Sequence, residues 1–174
     1  MILNNVDLDK VSKTVEAGKK DKQSLLKPVK LQGEWILDTR KDCQFRTEMS
    51  YEKGKQMIEV DSPSFLGGNG SKLGPMAYCI SGIASCFIGT FAGVAASQGV
   101  VLTKLRVSAQ CNVNFAKTLD VADEPIMNGI EFDIDAQADN ADRKKLEQIL
   151  NMALERCPAM YSMSHNIPVN AKIK

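Results

Sequence analysis

The 174-residue sequence predicts one mixed domain of helices and antiparallel strands. Three observations carry this: runs of period two stand on both sides of a single apolar stretch, that stretch holds no charged residue between Lys72 and Lys104, and an amphipathic helix follows the later strands. At 44% hydrophobic and 25% charged residues the chain can bury a sizeable core.

Residues 7–18 form a short helix with Leu8, Val11 and Val15 on one side, followed by Lys19, Lys20 and Lys22 and a break at Pro28. This segment, residues 1–30, is read as an N-terminal extension, its lysines as a solvated face. From Lys30 the period becomes two. Residues 31–38, 43–51 and 56–60 read as strands, with Lys53-Gly54-Lys55 as the turn of a hairpin. Ser62-Pro63 and Gly67-Gly68-Asn69-Gly70 end the sheet. That glycine-rich run lacks the lysine and the preceding apolar strand of a phosphate cradle, so a flexible connector is expected.

Pro75 suits the first turn of a helix and Gly99 the left-handed residue beyond its end, so the span between them reads as one long buried helix. On a 3.6-residue period Cys79, Gly82, Cys86, Gly89, Gly93 and Ala96 form a strip of small side chains that admits close approach of another element. About 20 apolar residues would also cross a bilayer. Three glycines, three serines and Gln98 dilute this stretch, however, and its flanks look like strands of a soluble protein, so a core helix is expected and no membrane partner.

Beyond the helix, Leu105, Val107, Ala109, Cys111, Val113 and Phe115 alternate with polar residues, and Ile130, Phe132, Ile134, Ala136 and Ala138 repeat the pattern. Glu131, Asp133 and Asp135 line one pleat face but lack the spacing of a calcium loop, so no metal is expected. A second helix follows, with Asp139 or Asn140 as cap, Asp142 in the first turn and Leu146, Ile149, Leu150 and Ala153 buried. Cys157 continues that stripe, and Pro158 places it at a helix end or kink. Ile167, Val169, Ala171 and Ile173 alternate as a final strand.

A formal net charge of +1 and few aromatic residues argue against a nucleic-acid partner. The first ten residues carry no secretory pattern, so a cytoplasmic location is expected. Five cysteines at irregular spacing, without a C-x-x-C pair, argue against structural zinc or a secreted disulfide framework. In a reducing compartment they are free thiols. Cys79 and Cys86 share a helix face, but seven residues hold their Cα atoms about 10 Å apart, beyond the roughly 7 Å reach of a disulfide. A partner for Cys86 must come from elsewhere, with Cys157 the natural candidate; the alternative is that both are inert core residues.

Pro75-Met76, the apolar helix with Gly82-Ile83-Ala84-Ser85-Cys86-Phe87, and Cys157-Pro158 after an amphipathic helix together resemble the OsmC/Ohr family of small thiol-dependent hydroperoxide reductases. The resemblance covers residues 31–174. It implies an α+β fold with antiparallel sheets around the long cysteine-bearing helix, and an intertwined homodimer with sites near the subunit interface. It further implies Cys86 as the peroxidatic residue, Cys157 as the resolving one, an organic hydroperoxide as substrate, an external thiol or dithiol as reductant, and no cofactor. In that family an arginine from the early strands activates the thiol; Arg46 is the candidate here and Arg40 its rival. The sequence departs from the family where an acid orients that arginine, since Met76 and Ala77 follow Pro75. Glu48 would substitute if it faced Arg46. The alternative function is a non-catalytic or redox-sensing relative that binds a small apolar ligand at the dimer interface. His165, the single histidine, gives little support to a cysteine hydrolase.

Overall fold

The computed structural model describes residues 1–173. They divide into two compact units: Met1–Lys13 together with the chain from Gly82 onward, and Thr14–Ser81 between them. The chain opens on a hairpin, β1 (Ile2–Leu3) and β2 (Val6–Asp7), turned by Asn4 and Asn5 at φ of 52° and 62°. Asparagine tolerates the left-handed backbone that a two-residue hairpin turn demands. Asp7 then caps helix α1 (Leu8–Lys20), its carboxylate accepting from the N–H groups of Asp9 and Lys10. The helix therefore starts where the sequence places a short polar residue before an apolar one, and it runs two residues past Gly18.

Within Thr14–Ser81, β3 (Gly33–Trp35), β4 (Phe45–Tyr51) and β5 (Gly54–Val60) form an antiparallel sheet in that order. The expected β4–β5 hairpin is present, with Tyr51 opposite Gly54. The first strand is shorter than the alternation of residues 31–38, because only Gly33–Trp35 find ladder partners on β4.

The loop after β5 is a correction to the expected flexible connector. Asp61 is buried, and its Oδ2 accepts from the N–H groups of Asn69 at 3.0 Å and Ser71 at 2.9 Å and from the Ser71 hydroxyl. A Cβ on Gly68 would lie 1.9 Å from the Ser62 carbonyl oxygen, so only glycine lets the loop close this tightly. The Ser71 N–H, with the other donors, outweighs burial and holds the Asp61 carboxyl below the usual range. Its stabilising effect is thus complete above the unfolded carboxylate range near ~4 and disappears as pH falls through the lower folded value. Asp61→Asn is expected to destabilise the protein by about 2 kcal/mol at neutral pH. Urea unfolding at descending pH should show the gap between the two proteins narrowing below pH ~4.

Helix α2 (Pro75–Ser97) begins with Pro75 in its first turn and ends at Gly99, at φ 70°, as expected. By length and composition it could cross a bilayer, but Phe87, Phe91, Val94 and Ala95 join a protein core. That core is shared with Val100 and with Ile149, Ala153 and Cys157. Strands β6 (Leu102–Gln110) and β7 (Glu131–Ala138) pair antiparallel, and Leu105, Phe132, Ile134 and Ala136 pack against the same core. Helices α3 (Arg143–Arg156) and α4 (Pro158–Ser164) complete the described structure.

Three details differ from the sequence pattern. The alternation of residues 105–115 stops pairing continuously at Gln110, because Asn114 turns the chain by accepting from the Ala116 N–H; one isolated bridge joins Val113 to Met127. The cap of α3 is Asp142, which accepts from the Lys145 N–H at 2.8 Å. Asn140 instead donates to the Gly99 carbonyl and accepts from the Val101 N–H, while Asn4 does the same for Val100 and Leu102. Two asparagine amides thus grip four consecutive residues between α2 and β6. Residues 167–173 form no strand: their alternation finds no ladder partner, and the Ile167 N–H turns back on the His165 carbonyl at 3.0 Å instead.

Candidate active site

The chemistry-bearing pair is Cys86 and Cys157, 71 residues apart in the chain, with their sulfurs 3.5 Å apart. Each is delivered by helix geometry. Cys86 projects from the middle of α2, one residue before the buried Phe87, and is half-buried. Cys157 is at once the C-cap of α3 and the N-cap of α4, in extended backbone at φ −75° and ψ 121°. Pro158 enforces this junction: its ring cannot continue α3 but fits the first position of α4. The Cys157 N–H closes the last turn of α3 on the Ala153 carbonyl, and its own carbonyl accepts from Tyr161 to open α4. Its side chain is fully buried among Ile149, Ala153 and α2.

Electrostatically the two thiols are unequal. Burial pushes the Cys86 thiol up, and neighbouring Cys157 adds to the effect, against one favourable N–H from Ala159. Burial is also the largest influence on Cys157 and would raise it. The N–H of Met160, the Cys86 thiol, the N–H of Ala159 and the Thr90 hydroxyl together outweigh it and bring Cys157 below the ordinary thiol value. Thr90 stands one helical turn beyond Cys86, and its hydroxyl donates to the Cys86 carbonyl at 2.9 Å. Sequence reading missed Thr90, although its i+4 spacing from Cys86 placed it on the same helix face.

Cationic residues proposed from the sequence are occupied elsewhere. Arg46 pairs with Glu34 across β3 and β4 at 2.6 Å, and Arg40 with Asp38 in the preceding turn at 2.9 Å. Glu48, the conjectured substitute for the missing acid, instead holds Lys55 at 2.6 Å. The register explains this: Glu34 lies directly opposite Arg46, whereas Glu48 is two residues along the same strand. Both arginines belong to the Thr14–Ser81 unit and the thiol pair to the other. Of the remaining cysteines, Cys43 is buried and its thiol is raised, by burial first and then by Glu59 and Asp42; Cys79 is exposed and Cys111 half-buried.

A long cysteine-bearing helix packed on antiparallel strands, with a second cysteine brought to it by a helix–proline–helix junction, defines a dithiol protein of α+β class. The chain belongs to the family described as OsmC-like protein, which it matches over residues 68–172. Solved structures share the fold. An OsmC-like protein from Mycoplasma pneumoniae is 15% identical, with a TM-score of 0.57, covering 80% of this chain and 89% of its own. A Legionella pneumophila protein called an organic hydroperoxide resistance protein OsmC is 16% identical, with a TM-score of 0.55, covering 81% of this chain and 93% of its own. An OsmC-like protein of unknown function from Vibrio cholerae is 14% identical, with a TM-score of 0.57, covering 80% and 95%. No curated protein matches the chain in sequence. At these identities the likeness to the solved structures speaks for the fold.

Proposed function

We propose that this protein is a thiol-dependent peroxidase that reduces organic hydroperoxides. A role in peroxide-related redox chemistry follows from its family and from neighbours named for hydroperoxide resistance. The finer mechanism rests on one observation: two sulfurs remote in sequence touch at 3.5 Å, within a small side-chain shift of a ~2.05 Å disulfide bond. Cys86 is the better exposed of the two and takes the peroxidatic role. Its thiolate attacks the peroxide O–O bond, leaving a sulfenic acid on Cys86 and, after protonation, the alcohol. The Cys157 sulfur then displaces the hydroxyl of that sulfenic acid, releasing water and forming a Cys86–Cys157 disulfide. An external dithiol returns both residues to thiols and is itself oxidised.

Thiolate formation at a half-buried cysteine calls for a positive group. We assign that positioning role to Arg46, supplied by a second copy of the chain in an intertwined homodimer. The surface supports such a dimer: Gly82 and Gly89 of α2 are exposed, and a Cβ on either would meet nothing within 4 Å. Trp35, Met57 and Phe65 are also more than half exposed in the Thr14–Ser81 unit. Gly89→Leu therefore leaves room within one chain and is expected to disrupt assembly. Sedimentation should give twice the 19.1 kDa chain mass for the wild type and about half that for the variant. Five free thiols suit a reducing compartment, and we place the protein in the cytoplasm.

A redox-sensing member without turnover is the second reading, favoured by the raised Cys86 thiol and by the Glu34 partner that occupies Arg46. Incubating the reduced protein with cumene hydroperoxide and dithiothreitol separates the two. Continuous peroxide consumption, abolished by Cys86→Ser, supports the peroxidase; wild-type consumption no faster than that of the variant removes it.

A further inference from the structure

We propose that Asn128–Gly129 is a site of spontaneous isoaspartate formation, and that the loop closed around Asp61 shields Asn69–Gly70, the same dipeptide, from that reaction. Glycine follows asparagine at these two places in the sequence. The chemistry is intramolecular. The backbone nitrogen of the following residue attacks the asparagine side-chain carbonyl carbon, the new C–N bond closes a cyclic imide, and ammonia leaves with the proton that the nitrogen gives up. Water then opens the imide at one of its two carbonyls, leaving aspartate or, with the main chain rerouted through the side chain, isoaspartate. No electrons change hands, and water is the only co-reactant. Glycine favours ring closure because it has no Cβ to crowd the attacking nitrogen and lets the backbone rotate freely.

The two sites differ in whether that nitrogen is held. At Asn69–Gly70 it is: the Gly70 N–H donates to the Ser62 carbonyl at 3.1 Å, and the Asn69 N–H to Asp61 Oδ2 at 3.0 Å. The Ser71 N–H ties the next residue to the same carboxylate oxygen at 2.9 Å, so three consecutive amides are fixed at once. Ring closure there must wait for the loop to open, and a site that reacts only from an opened state is slowed by the free energy of opening. Asn128–Gly129 has no such clasp. Both residues are exposed, and among the described residues neither the Gly129 N–H nor the Asn128 side chain has a hydrogen-bond partner. The pair lies between Met127, bridged to Val113, and the start of β7 at Glu131. Isoaspartate at 128 would lengthen the main chain just before that strand and lower the formal net charge of +1 by one unit.

The test stores the purified full-length protein in mildly alkaline buffer at physiological temperature and follows both sites by peptide mass mapping, with enzymatic methylation of isoaspartyl carboxyls as a second readout. Product at Asn128 is expected to accumulate at least about tenfold faster than at Asn69. In concentrated urea, where the loop is gone, the two sites should react at similar rates, which ties the difference to the fold. Asp61→Asn should raise the Asn69 rate about fivefold or more and leave the Asn128 rate within about twofold. Ser71→Ala, which removes the hydroxyl donor to Asp61 and keeps the backbone donors, should raise the Asn69 rate less. Equal native rates at Asn69 and Asn128 overturn the shielding, and an Asn69 rate unchanged in Asp61→Asn removes the carboxylate from it. An Asn128 that stays intact in the folded protein while the urea sample reacts overturns the site, whether its own loop or a second copy of the chain protects it.

Discussion

Cys157→Ser is expected to consume about one equivalent of organic hydroperoxide per chain and then stall. The reasoning is stoichiometric. Cys86 can still attack the peroxide, but no second sulfur stands 3.5 Å away to condense with the sulfenic acid. Dimedone should trap that acid on Cys86, and a stopped-flow trace should show a burst followed by a steady rate at least ~100-fold below wild type with a dithiol reductant. Cys86→Ser should show no burst. A Cys157→Ser protein that turns over as fast as wild type would mean that Cys157 has no resolving role.

The second large effect concerns the platform beneath the thiol. Phe87 is 1% exposed and meets Phe132 of β7 edge to face, with ring centroids 5.8 Å apart and planes inclined by 67°. Phe87→Ala removes this pair and leaves a cavity between helix and sheet, at a cost of about 4 kcal/mol. For a chain of this length the melting temperature should fall by on the order of 10 °C, measurable by calorimetry. Because Phe87 adjoins Cys86 on α2, diamide should also form the Cys86–Cys157 link more slowly in the variant. A shift of 1 °C or less would show that Phe87 is not a keystone of this core.

The helix positions of Cys86 and Cys157 were legible because helix punctuation is local, while their pairing was an expectation carried by the family resemblance. Pro75 and Gly99 bracket α2, and Pro158 fixes the backbone of the residue before it. Alternation likewise located β7, whose residues are half-buried and exposed in turn. Partners that depend on register or on loop closure were not legible. The pairing of Arg46 with Glu34 requires knowing which residue of β3 lies opposite it, and no propensity encodes that offset. Asp61 was hidden for a similar reason. Its donors come from Asn69 and Ser71, within a run whose glycines look merely permissive until the loop is seen closed around a carboxylate. Residues 167–173 show the converse: a pattern fit for a strand forms none where the segment is not laid along a sheet edge.

The asparagine grip on the link between α2 and β6 bears on how the protein ages. Spontaneous deamidation turns such an amide into an acid. At Asn4 or Asn140 the change would replace a donor with a negative charge facing the carbonyl of Val100 or Gly99. Deamidation at either position would therefore loosen the joint that carries the cysteine helix into its sheet.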